Sequence, residues 1–257
     1  LERLRARAGI QAGIQTRARV VSQNNFPMSA GIASSASAFA ALTVAGCAAL
    51  GLSLDAQEMS GLARLESGSA SRSLFGGFVQ WHAGPDDTSS YAELICDEHH
   101  WPALRDVVAI VAPGEKKVSS AEGHLLAATS PFLQARLEQV REHLPDVRDA
   151  IKARDLMELG PLIEADALSM HFVMMSSQPP LFYWTPETVR LIKQCETWRD
   201  QGLQVYFTID AGPNVHLICE DYQEAELIDK LYRLDGVQRV LTSAPGAAPR
   251  LLSDHLF

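Results

Sequence analysis

The 257-residue chain is poor in cysteine, in positive charge and in uninterrupted apolar sequence, and each shortage removes a class of protein. Its four cysteines, Cys47, Cys96, Cys195 and Cys219, stand far apart with no CxxC pair, so neither a disulfide framework nor a zinc ribbon is encoded. Reduced thiols of a cytoplasmic protein are the simplest reading. Lys and Arg number 22 against 31 Asp and Glu, a formal net charge of −9. Nucleic acid and anionic membrane both require a basic face, so neither is expected as a partner. The longest apolar stretch, 36–52, is broken by Ser, Thr and Gly and falls short of a bilayer span. The first residues lack the apolar centre of a signal peptide. HExxH is missing, and His99, His100 and His171 have no metal-ligand spacing. What remains is 47% hydrophobic residues, enough for one large or two medium cores, with no internal repeat or low-complexity segment.

Along the chain, LERLRARAGI has the basic amphipathic pattern of a helix already under way, so part of a domain is expected in front of it. RARVVSQNNF predicts a strand, and the Ala-rich run after PMSAG a buried helix. A second helix is predicted from Ser53 to Leu65. SLFGGFVQWHAG has strand residues broken by Gly76 and Gly77, and PDDTSS is a turn. Composition changes near Trp101 and Pro102, which divides the chain into 1–103 and 104–257. The second part opens with the strand RDVVAIVAP, continues in helices from Ser120 to Met175 interrupted at Pro131, Pro145 and Pro161, and has a well-marked helix after Thr185. There Thr185 is the N-cap and Pro186 the first helical residue, while Thr188 stands where a full capping box would place Glu or Gln. Two strands around DAGPN, a helix and a last strand follow. Strands and helices in this order predict an α/β (α+β) architecture with antiparallel pairing.

Three runs carry candidate chemistry. In NNFPMSAGIASSASAFAAL, Gly31 permits close backbone approach, and Ser34 and Ser35 fall where a helix would start; free amides, hydroxyls and the positive end of the dipole then cradle a phosphate, or the serines simply cap a core helix. It is not a Walker loop, since no GK[ST] follows. In ESGSASRSLFGG, Ser67, Ser69 and Arg72 can converge on a carboxylate or phosphate, which Arg grips bidentately; a Ser/Gly-rich joint with a surface arginine is the alternative. Arg64 is expected to be a solvated helix residue. In VYFTIDAGPNVHL, Asp210 ends an apolar strand before Gly and Pro, which predicts a partly desolvated carboxylate able to act as a base, or one that makes the hairpin turn with the following amides. His216 is expected to be a packed or edge histidine, and the other histidines incidental.

Taken together these runs resemble the mevalonate diphosphate decarboxylase family, within the superfamily of galactokinase, homoserine kinase, mevalonate kinase and phosphomevalonate kinase. PxxxGxxSSA marks the superfamily, while GSAxRSLFGG and DAGPN mark the decarboxylases. The resemblance implies a two-domain fold of that kinase superfamily: an N-terminal part like ribosomal protein S5 domain 2, a ferredoxin-like C-terminal domain and a site in the cleft between. It implies that Gly31, Ala33, Ser34 and Ser35 hold ATP phosphates, that Asn24 lies near the ribose or base, and that Ser67, Ser69 and Arg72 bind the phosphoryl and carboxylate ends of the substrate. Ser119 and Ser120, in EKKVSSAEG, would approach the phosphoryl tail, and Asp210 would be the base or orienting group at the tertiary C3 hydroxyl. The implied activity is that of an ATP- and Mg²⁺-dependent carboxy-lyase, giving an isopentenyl product from a 5-phosphorylated mevalonate. Relatives are commonly homodimers.

Two departures qualify the transfer. The family's opening strand, with its Lys, Tyr and Trp cluster, has no counterpart before Leu1, so the chain is expected to be a fragment or to obtain those contacts elsewhere. Bacterial relatives usually carry arginine where this chain has Ala121. Losing that charge brings mevalonate 5-phosphate close to the diphosphate as substrate, and eukaryotic diphosphate enzymes, which lack the arginine too, keep the diphosphate slightly ahead. A small-molecule kinase that stops at phosphorylation shares the phosphate loop, although DAGPN argues against it. A binding module without catalysis is the remaining alternative.

Overall fold

The computed structural model describes residues 2–9, 17–26, 32–86, 88–112, 118, 120–254 and 256, without the side chains of 120 and 121. Leu4 is the buried residue of the first helix, α1 (Glu2–Arg7), and it rests on Gly46 of α2 (Ser34–Ala49). A Cβ at Gly46 would lie 2.5 Å from Leu4 Cδ1, so glycine is what lets the two helices approach. Along α2 the inward residues are small: Ala36, Ala40, Thr43, Gly46 and Cys47. Helix α3 (Ala56–Arg64) starts in a capping box, with Asp55 accepting from the Glu58 amide at 2.8 Å and Glu58 from the Asp55 amide at 3.2 Å. It packs with the 3₁₀ turn Gly68–Leu74, so that Ala40, Ala63, Ala70 and Leu74 form a small core lined by Phe39, Met59 and Phe75.

Strands β1 (Phe78–Trp81) and β2 (Ala92–Cys96) pair antiparallel, with a register shift between Phe78 and Val79. Gly77, at φ +72, precedes the pair; a Cβ there would lie 2.3 Å from the Asp97 carbonyl carbon, and its N–H donates to Gly246 O at 2.8 Å. These elements form the first of two compact units, Leu1–Pro27, Ala33–His99 and Gly246–Phe257. One expectation fails here. Residues 17–24 are not a strand: they pair with no other strand among the described residues, and Val20 and Val21 remain 52% and 43% exposed, so no ladder or burial rewards their β-propensity. Arg64, expected in solvent, is half-buried.

The second unit, Met28–Ile32 and His100–Pro245, is built on β3 (Leu104–Ile110). Val107 to Ile110 are all buried, as a strand covered on both faces requires. After β3 come α4 (Ser120–Ala127), α5 (Leu133–Ala153), α6 (Leu156–Met175) and α7 (Pro186–Asp200), then β4 (Tyr206–Thr208), β5 (Val215–Glu220), α8 (Asp221–Tyr232) and β6 (Arg239–Ser243). The sheet runs β4-β5-β3-β6 with every neighbour antiparallel, the ferredoxin-like arrangement. Leu191, Cys195 and Trp198 of α7 and Leu227 and Leu231 of α8 join the sheet's Val107, Val215 and Leu217 in one core. Burying each such leucine contributes roughly 2 kcal/mol. Cys47, Cys195 and Cys219 are buried free thiols, and burial pushes the last two up to about 12.

The expected breaks at Pro145 and Pro161 are absent, because both prolines lie inside α5 and α6. A helical proline frees the carbonyl four residues earlier. Here the prolines, and Arg141 and Met157 that precede them by four, are exposed, so water can satisfy the freed groups. Pro131 does separate α4 from α5. Among the described residues no helix is long and apolar enough to cross a membrane.

Candidate functional site

In the first unit the phosphate-loop run enters α2 through Ala33, whose left-handed backbone (φ 55, ψ 32) costs an alanine on the order of 1 kcal/mol. Ala33 is the N-cap and supplies no side-chain acceptor, so the serines do not cap the helix in the ordinary way. Instead α2 begins at Ser34 itself. A 16-residue helix whose N-cap residue offers no side-chain acceptor directs backbone amides and a positive dipole end toward its start, a fit for phosphate oxygens.

Ser35 Oγ lies 3.4 Å from Ser67 Oγ, so the first two candidate runs meet. Ser67 is extended (φ −152, ψ 120) and leads into the 3₁₀ turn that carries Ser69 and Arg72. That turn is fixed from inside: buried Ser71 donates to the Gly68 carbonyl at 2.6 Å. Gly68 is pressed against the Trp81 indole, where a Cβ would lie 2.7 Å from Cη2, and Trp81 Nε1 donates to Ser90 Oγ at 3.0 Å. Arg72 is exposed and makes no ion pair among the described residues, which leaves its guanidinium available to an anion. Asn24 is half-buried in the irregular segment 17–26. Gly31 and Ser119 lie outside the described residues; Ser120 opens α4, with its side chain undescribed.

In the second unit, Asp210 stands between β4 and β5. Its expected desolvation is not observed: the residue is exposed, because Ile209 takes the buried position and the chain then turns outward. The turn is closed by the backbone, Gly212 N–H donating to Asp210 O at 2.7 Å. Buried side chains hold its flanks. Asn214 is 1% exposed, and its amide oxygen accepts from the Val111 and Ala112 amides at 2.9 and 3.2 Å. Thr188 Oγ1 donates to the Pro213 carbonyl at 2.6 Å and also accepts from the Thr185 amide at 3.1 Å, so threonine completes the capping box for which Glu or Gln was expected. On the other flank His171 Nε2 lies 3.2 Å from the Ile209 carbonyl. His171 is buried against the rings of Trp184 and Tyr183, and burial pushes its pKa down to about 4. A neutral imidazole donating through Nε2 fits that contact.

Sequence reasoning passed over Trp81, Asn214 and His171. For His171 a signal existed: Ala167, His171 and Met174 recur at helical spacing and are all buried in α6, which marks an inward histidine. His216 is a packed residue as expected, its Nδ1 2.9 Å from Asp106 on the neighbouring strand. Among the described residues no three His, Cys, Asp or Glu side chains converge on a metal position.

Both parts of the chain match known families: residues 1–92 the diphosphomevalonate decarboxylase-like N-terminal domain, and residues 106–251 the mevalonate 5-diphosphate decarboxylase C-terminal domain. The diphosphomevalonate decarboxylase of Candida albicans is 35% identical over 94% of this chain and 73% of its own length. The mevalonate diphosphate decarboxylase structure from Staphylococcus aureus superposes with a TM-score of 0.88 at 38% identity, over 96% of this chain and 74% of that one. MDDEF in complex with MVAPP, AMPPCP and magnesium gives a TM-score of 0.84 at 36% identity, over 96% and 75%. Across the curated relatives the chain spans from 50% to 73% of their length. On these matches, and on a fold shared along nearly all of its length, the chain belongs to the diphosphomevalonate decarboxylase family.

Proposed function

We propose that the protein carrying this chain is an ATP-dependent carboxy-lyase that converts diphosphomevalonate to isopentenyl diphosphate, ADP, phosphate and carbon dioxide. One observation carries the reading: decarboxylase-family domains match both parts of the chain, and the similar MDDEF structure holds MVAPP, AMPPCP and magnesium together. In the reaction the γ-phosphoryl of ATP passes to the C3 hydroxyl oxygen. The C3–O bond then breaks with its electrons on the departing phosphate, while the electrons of the bond to the carboxylate form the C2=C3 double bond and release carbon dioxide.

Such chemistry needs placement and charge neutralisation more than covalent help. The open start of α2, with Ala33, Ser34 and Ser35 and with Gly31 before it, suits the ATP phosphates, and Asn24 is assigned to the ribose or base. Mg²⁺, when bound, would neutralise phosphate charge. Ser67, Ser69 and exposed Arg72 are assigned to the anionic ends of the substrate, Ser119 and Ser120 to its phosphoryl tail, and Asp210 to the C3 hydroxyl, which it orients or deprotonates. We assign the protein to the cytoplasm and to a homodimeric state.

Steady-state turnover of the full-length protein on mevalonate 5-diphosphate and mevalonate 5-phosphate tests the substrate. Higher kcat/KM on the diphosphate is expected. A preference for the monophosphate would shift the assignment to that substrate, in line with Ala121, and inactivity on both would remove it.

A further inference from the structure

We infer that His171 of α6 is a positioning residue for Asp210, acting through the backbone of the strand end that carries the aspartate; the inference rests on the reading of Asp210 as the group at the reacting hydroxyl. Asp210 is exposed, so packing of its own side chain does not set its direction. Its backbone must do so. Two anchors follow it, Thr188 on the Pro213 carbonyl and Asn214 on the Val111 and Ala112 amides. They fix the exit of the turn, three and four residues beyond Asp210. The entry is held by His171, whose Nε2 meets the carbonyl of the residue immediately before it at 3.2 Å.

That carbonyl is the lever. It belongs to the same peptide unit as the Asp210 N–H, so rotation of this plane swings the Asp210 Cα–Cβ bond. A side chain that pins the carbonyl therefore fixes the direction in which the Asp210 Cα–Cβ bond presents the carboxylate. His171 is itself immobilised, 1% exposed, its ring centroid 4.9 Å from that of Trp184 and edge-on to Tyr183 at 6.0 Å. Burial keeps the imidazole neutral at physiological pH, so Nε2–H donates while Nδ1, which has no hydrogen-bond partner among the described residues, carries the lone pair among the aromatic rings. A purely space-filling residue at this point of α6 would need no N–H at the distance of Nε2.

The test compares His171→Phe and His171→Gln in the full-length protein, with Asp210→Asn alongside. Phenylalanine keeps the volume and loses the donor; the glutamine amide reaches as far as Nε2 and restores it. Misplacing a catalytic group by about 1 Å costs on the order of 100-fold. His171→Phe is accordingly expected to lower kcat by about 10- to 100-fold, with KM for ATP within about twofold and circular dichroism unchanged, and His171→Gln to recover most of kcat. If His171→Phe does not fold, His171→Gln is set against His171→Leu by the same split between kcat and KM. Turnover of the donor-free variant within twofold of wild type, or equal losses with and without the donor, would overturn the inference. Should Asp210→Asn keep near-normal turnover, the Asp210 assignment fails and takes this inference with it. An inactive Asp210→Asn beside a fully active His171→Phe sinks the positioning role alone.

Discussion

The turn bearing Asp210 and the turn bearing Arg72 are held in opposite ways. Around Asp210 the backbone is tied at Ile209, Pro213 and Asn214 by three side chains that come from α6, α7 and the turn itself. The Gly68–Leu74 turn is secured locally, by backbone bonds at its two ends, by the Ser71 bond to the Gly68 carbonyl and by burial of Ala70 and Leu74, while its arginine extends into solvent. The difference matches the roles proposed for the two groups. A carboxylate that must meet one hydroxyl proton benefits from a preset backbone, whereas a guanidinium that captures an anion can reorganise on a flexible stem.

That contrast can be broken experimentally. The largest effect is expected at Asp210→Asn, which should lower kcat by about 10²–10⁴-fold while ATP affinity, measured by calorimetry, stays within a few-fold. Near-normal turnover would remove the role assigned to Asp210. Next comes Arg72→Ala, expected to reduce kcat/KM for the acid substrate by about 10- to 100-fold, the worth of one or two charge-assisted bonds. An unchanged kcat/KM would show that the exposed guanidinium binds nothing in the reaction. Gly68→Ala should be milder: the methyl meets the Trp81 ring, so a loss of about 1–3 kcal/mol in stability is expected, read as a lower Tm. An unchanged Tm would mean that the indole moves aside freely.

A pH experiment sharpens the other side of the comparison. In the folded protein His171 titrates near 4 instead of its ordinary 6.5, so between those values the unfolded chain binds a proton that the folded chain refuses. The stabilisation from the neutral buried ring is complete above about pH 6.5 and is lost as pH falls toward 4, an effect on the order of 3 kcal/mol. Wild-type Tm should fall more steeply across that window than the Tm of His171→Gln. Parallel profiles would show that His171 is not held neutral by the fold.

Much of the architecture was legible because it rests on local signals. The Asp55 and Thr185 caps and the apolar strands 104–110 and 215–220 announce themselves by residue type and period. The failures have a common cause, dependence on surroundings. Whether 17–24 forms a strand depends on a partner, whether Pro145 and Pro161 break a helix depends on which carbonyls face water, and whether Asp210 is desolvated depends on which way a turn faces. The site was legible as runs of residues but not as contacts. That Ser35 meets Ser67 across 32 positions, or that His171 braces a strand end 38 positions away, has no local signature.

The central claim is that this protein removes carbon dioxide after phosphorylating its substrate. It is tested most directly by counting products when the full-length protein turns over ATP and diphosphomevalonate labelled at the carboxyl carbon. The account predicts one labelled carbon dioxide and one inorganic phosphate for each ADP formed. ADP accompanied by a stable phosphorylated acid, with the label retained, would contradict it and identify a kinase instead.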